Sequence, residues 1–82
     1  MNDIIDIQNI IEDFFKSKGY IVETKINDNS VFVEVNLFGE PLLLKNVEKL
    51  ISLLKEIENM GYFIVIHRIN WNEIVLEVRK EG

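Results

Sequence analysis

His67 is the sole imidazole in a chain of 82 residues, and it stands among acids that could orient it. A general base needs both an orienting acid and a substrate pocket. Glu23, Glu34 and Glu77 can supply the first; alternating strand sequence around His67 predicts a flat sheet face, which does not supply the second. His67 therefore reads as a surface histidine at the edge of an interface. Glu34 and Glu77 sit at matching points of two similar segments, and such carboxylates can share a proton or hold a divalent cation if they meet. The plainer reading is that they are solvated acids that break up an otherwise sticky strand. Chemistry that needs thiols is excluded, because the sequence has no cysteine. That removes disulfides, thiolate catalysis and cysteine-ligated zinc. There is no phosphate-cradling glycine loop, no His-Glu-x-x-His, no nucleophile elbow and no calcium loop. No catalytic set, cofactor or metal site is expected.

Two units of the same kind must position these residues. From Asp3 to Lys18, Ile4, Ile7, Ile11 and Phe14 recur at helical spacing, and Ile10 and Phe15 widen the stripe. Asp3 suits the N-cap, and Gly19 the left-handed stop. Tyr20–Ile26 and Val31–Leu37 alternate as strands do and flank the turn-forming Asn27-Asp28-Asn29-Ser30, which predicts a hairpin. A second helix lies between Leu42 and Met60 with a stripe of Val47, Leu50, Leu54 and Ile57. Pro41 favours a start at Leu42, Asn46 a later one. Tyr62–Ile69 and Glu73–Lys80 form a last hairpin around Asn70-Trp71-Asn72.

The order is αββαββ in a single domain spanning residues 1–82, with pseudo-repeats at about 1–38 and 42–82. Gly19-Tyr20 recurs 42 residues later as Gly61-Tyr62, and Val33-Glu34-Val35 recurs 43 residues later as Leu76-Glu77-Val78. Pleat alternation sets Tyr20, Val22, Thr24, Ile26, Val31, Val33, Val35 and Leu37 toward the helices, with Tyr62, Ile64, Ile66, Ile74, Leu76 and Val78 in the second half. An α+β two-layer sandwich follows, two helices on one face of a four-stranded antiparallel sheet. Joining the hairpins through their second strands gives the order 1-2-4-3, which resembles a circularly permuted ferredoxin-like fold; joining them through the first strands gives 2-1-3-4.

The other sheet face has nothing left to cover it. Phe32, Phe63, Val65, Ile69 and Val75 are expected to make an apolar patch there, with His67 beside it and Trp71 at its rim. A patch of this kind on a small protein marks a partner site or self-association. An edge-to-edge dimer through the nearly unbroken apolar strand Tyr62–Ile66 is the competing geometry. The first forty residues carry a further resemblance. A helix, Gly19-Tyr20, a strand, Asp28, then Val33-Glu34-Val35-Asn36 resembles the restriction-endonuclease-like core, with Asn36 where that family has lysine. The resemblance implies a metal-dependent nuclease as a distant alternative.

Fourteen acids against nine bases give a net charge of −5, which makes duplex DNA or an anionic membrane a poor partner. Asp3 and Asp6 occupy the place of a signal peptide's basic region, and no apolar run approaches the ~20 residues of a membrane span, so the chain reads as cytoplasmic. The function expected is that of a small acidic non-enzymatic interaction protein acting through the open apolar sheet face as a homodimer: an adaptor, inhibitor or regulator of a macromolecular partner, of the kind viruses and mobile elements encode. A single-stranded nucleic-acid binder stacking bases on Phe32, Phe63 and Trp71 is the alternative.

Overall fold

Asp3 starts the first helix with its own side chain. Its carboxylate accepts hydrogen bonds from the backbone N–H groups of Ile5 and Asp6, each at 3.0 Å, and Asp6 accepts one from Asp3 N at 3.3 Å. This capping box satisfies donors that the first turn leaves open. The computed structural model describes residues 3–80. Helix α1 (Ile4–Ser17) buries Ile7, Ile11 and Phe15, a series spaced by four. Phe15 rather than Phe14 therefore completes the stripe, and Phe14 is only partly covered. Gly19, at φ 83°, releases the chain into β1 (Ile21–Asn27).

Strand β2 (Ser30–Asn36) returns antiparallel to β1 through a turn tighter than its four turn-forming residues suggest. Asn27 and Ser30 pair with each other, leaving only Asp28 and Asn29 to turn, with Asp28 at φ 54°. A second reversal follows at Phe38-Gly39, closed by Glu40 N donating to Leu37 O at 2.9 Å. Helix α2 (Leu44–Asn59) starts between the two positions the sequence offers. Leu43 is its N-cap and makes no side-chain cap; its carbonyl accepts from Asn46 N and Val47 N. Strands β3 (Tyr62–Ile69) and β4 (Glu73–Lys80) complete the chain.

The sheet order is β1-β2-β4-β3, all neighbours antiparallel, as the permuted ferredoxin-like arrangement implies. The second strands of the two hairpins thus form the centre and the first strands the edges. Val33 pairs directly with Leu76, its repeat equivalent, so the local two-fold axis relating the halves passes between them. Both are buried, with Val31, Val35, Leu37, Ile74 and Val78 around them, and the helices supply Leu50, Leu54 and Ile57 beside the α1 stripe. Tyr62 is buried at the start of β3; burial first, then the charges of Asp3 and Asp6, raises its phenol above the usual pKa.

Two expectations about the helix-facing set need correction. Ile66 keeps 56% of its surface exposed, and Ile26 is exposed as well. Both lie on edge strands, where the helices leave the helix side of the sheet uncovered. No helix of the described residues is long and apolar enough to cross a membrane.

Ile11→Ala empties a fully packed site between α1 and the sheet and should cost about 2–5 kcal/mol of folding free energy. Ile5→Ala, on the exposed side of the same helix, should change stability by less than ~0.5 kcal/mol. Urea denaturation of the two variants measures the contrast.

Candidate interaction face

The face away from the helices is organised by the pairing of β2 with β4. Phe32 lies opposite Glu77, and Glu34 lies opposite Val75. These four positions are two pairs of repeat equivalents, Phe32 with Val75 and Glu34 with Glu77. The two glutamates are consequently diagonal neighbours, about 7–8 Å apart at Cα by the geometry of antiparallel pairs. They do not share a partner.

Glu77 is the hub of the face. Its two carboxylate oxygens accept a forked pair of hydrogen bonds from Arg79, Nε to Oε2 at 2.9 Å and Nη2 to Oε1 at 3.0 Å. His67 Nε2 lies 3.1 Å from Oε1, and the imidazole also tilts against Phe32 with ring centroids 5.5 Å apart. Hydrogen bonding to Arg79, then to His67, outweighs the opposing effect of desolvation and holds the Glu77 carboxyl at a pKa of about 2. On α1, Glu12 shows a milder form of the same effect: Thr24 Oγ1 of β1 donates to it across the layer, and Lys16 adds a second bond, lowering its pKa.

A bulge delivers His67 to this hub. Ile66 pairs with Leu76, but the next pair is Arg68 with Val75, so β3 carries one residue more than its partner there. Arg68 is brought to the open side, where its Nε meets Glu73 Oε1 at 2.9 Å. The same slip sets Ile69 opposite Ile74, on the helix side of the sheet, and removes it from the patch in which alternation had placed it. Val75 does remain on the open side, yet only 1% of its surface is exposed. It lies between Glu73 and Glu77 on its own strand, each paired to a residue of β3. Ion pairs run through the middle of this face, with Val75 buried beneath them and Phe32 and Val65 on either side of Glu77.

The exposed apolar groups lie at its margins. Phe63 is exposed near one end, Phe32 and Val65 are half-buried beside Glu77, and Trp71 projects from the β3–β4 loop with 71% of its surface exposed. The Trp71 ring closes on Gly39, where a Cβ would lie 3.3 Å from Cζ3. Asn72 O accepts from Leu37 N at 2.8 Å, so the loop is tied to the end of β2. Sequence reasoning underrated Phe38 and Ile21, which are both exposed at this end. Phe38 sits in the reversal after β2 with a left-handed backbone, at φ 53°. Between them lies a depression of about 470 Å³ edged by Glu23, Glu34 and Glu73. Glu23 and Glu34 face each other directly across β1 and β2, an unfavourable like-charge pair that makes this end acidic.

The residues of the nuclease resemblance are not gathered. Asp28 is in the hairpin turn, whereas Glu34 lies four residues down β2 from Ser30, roughly 13 Å along the strand. Among the described residues no three His, Cys, Asp or Glu side chains are grouped so as to hold a metal ion. No protein-family model, curated protein or solved structure matches the chain.

The Glu77 carboxyl, depressed to about 2 from 4.5, stabilises the fold at pH values above its unfolded range. That contribution should be lost as pH falls from about 4.5 toward 2. Glu77→Gln should flatten this part of the stability–pH curve, as followed by urea denaturation at a series of pH values.

Proposed function

We propose that the chain is a small non-enzymatic interaction protein that works as a homodimer and serves as an adaptor, inhibitor or regulator of a macromolecular partner. The observation supporting this reading is how the two kinds of side chain are distributed. Arg79 and His67 are bonded to the central Glu77 and Arg68 to Glu73, while large apolar side chains stay exposed on the same small chain. Burying exposed Phe, Ile or Leu side chains contributes about 1.5–3 kcal/mol each when complete, enough to offset the entropy of association once several take part.

Exposed Phe63 and Trp71 favour a second reading, stacking of single-stranded bases. Glu23, Glu34 and Glu73 surround the Trp71 end and repel phosphate, while Phe63 lies at the other end of the face opposite Arg79, so the two rings do not form one platform and this reading ranks below the first.

Size-exclusion chromatography with light scattering should give a dimer at ~100 μM chain, with dissociation on dilution. A monomer across that range contradicts the homodimer. In fluorescence anisotropy at ~0.15 M salt, labelled duplex DNA should not bind and single strands should bind weakly at most. Sub-micromolar affinity for a single strand would move the second reading to first place.

A further inference from the structure

The two edges of the sheet are repeat equivalents that have diverged. Where β1 has Glu23, Thr24 and Lys25, β3 has Val65, Ile66 and His67, each 42 residues on. The helix side of the β1 edge is filled by polar contacts, with Gln8 Nε2 donating to Thr24 Oγ1 at 2.8 Å and Thr24 donating to Glu12. At the matching point of β3, Ile66 is exposed. From Tyr62 to Ile66 the β3 edge has no charge and no proline. Natural edge strands are ordinarily protected by such residues or by a covering element.

Helix α2 extends this bare edge into a flank. Its Leu53 side leans toward α1, across a shallow groove lined by Phe14, Lys49 and Ser52. The opposite side, with Leu44 and Ile51, therefore points outward above β3, and these two side chains are 72% and 47% exposed.

Resting on the reading of the chain as a homodimer, we infer that the β3 edge and the outer side of α2 together receive a second copy of this chain. The two β3 strands pair antiparallel about a two-fold axis at Val65. Residues opposite each other in an antiparallel pair must share a face, which this axis satisfies. Val65 meets the partner's Val65 on the open side, and Ile64 meets the partner's Ile66 on the helix side. Strand and helix run in opposite directions and match in length, with eight strand residues spanning about 26 Å and sixteen helical residues about 24 Å. One axis therefore crosses the middle of both, and it brings Ile51 near the partner's Ile51.

Ile66 is exposed on the helix side of β3, so α2 leaves that margin of the edge uncovered. A flank of roughly 25 by 20 Å on each copy reaches the ~1,000 Å² total that a specific interface requires.

The absence of native cysteine makes the axis directly testable. Val65→Cys should form an intermolecular disulfide on mild oxidation, because residues facing each other at the axis have Cα atoms about 4.5–5.5 Å apart. Glu23→Cys, on the β1 edge, should stay uncrosslinked. Ile66→Lys alters an exposed side chain and should leave a folded chain by circular dichroism, while raising the dimer Kd at least ~10-fold. Phe38→Glu, on the open face, should leave the dimer intact. A dimer that resists Ile66→Lys, fails to crosslink at position 65 or dissociates with Phe38→Glu overturns the edge assignment and leaves the homodimer standing. A wild-type monomer at ~100 μM overturns both.

Discussion

The pairing of β2 with β4 is the constraint on which the rest of the molecule depends. Val33 against Leu76 joins the two αββ units at equivalent points, and every other relation follows from that seam. The second strands become central and are buried from the helix side along their length. The first strands become edges. Helix α2 must cross from β2 to β3, which run parallel on either side of β4. A seam between the first strands would have reversed which sequences are hidden, exposing Val31, Val33 and Val35 to an edge environment.

The same seam explains the electrostatics of the open face. It sets Glu77 between Phe32 and Val65 and within reach of His67 and Arg79, so the central carboxylate is ionised and committed. Val75 is hidden between the paired Glu73 and Glu77. A charged centre with apolar margins does not favour stacking two such faces on each other. The unprotected surface lies at the β3 edge, where Val65, Ile66 and His67 stand in place of the Glu23, Thr24 and Lys25 of β1.

Periodicity made both helices, both hairpins and the helix-facing sets of β2 and β4 legible in the sequence, because each is a local pattern with turn residues on either side. Three features were not legible, for three physical reasons. The bulge at His67 has no glycine to mark it, and an alternating Phe-Ile-Val-Ile-His-Arg-Ile run reads the same with or without a slip; the face of Ile69 went with it. The exposure of Ile66 depends on how far α2 reaches across the sheet, which alternation does not encode. The start of α2 is set by the Phe38-Gly39 reversal, whose left-handed Phe38 is an unusual choice for a bulky residue. At the candidate site, the aromatic and acidic residues were legible individually; their grouping into an ion-paired centre and an apolar margin needed the register.

The central claim is that the two sheet edges, equivalent by duplication, are unequal in use. Hydrogen–deuterium exchange measured on the wild-type chain at about 1 μM and about 100 μM tests it most directly, because paired edge amides exchange slowly only while the pairing lasts. The account predicts protection that rises with concentration within Tyr62–Ile66 and stays low at both concentrations for the outward amides of β1. Equal exchange at the two edges, unchanged by concentration, would contradict it.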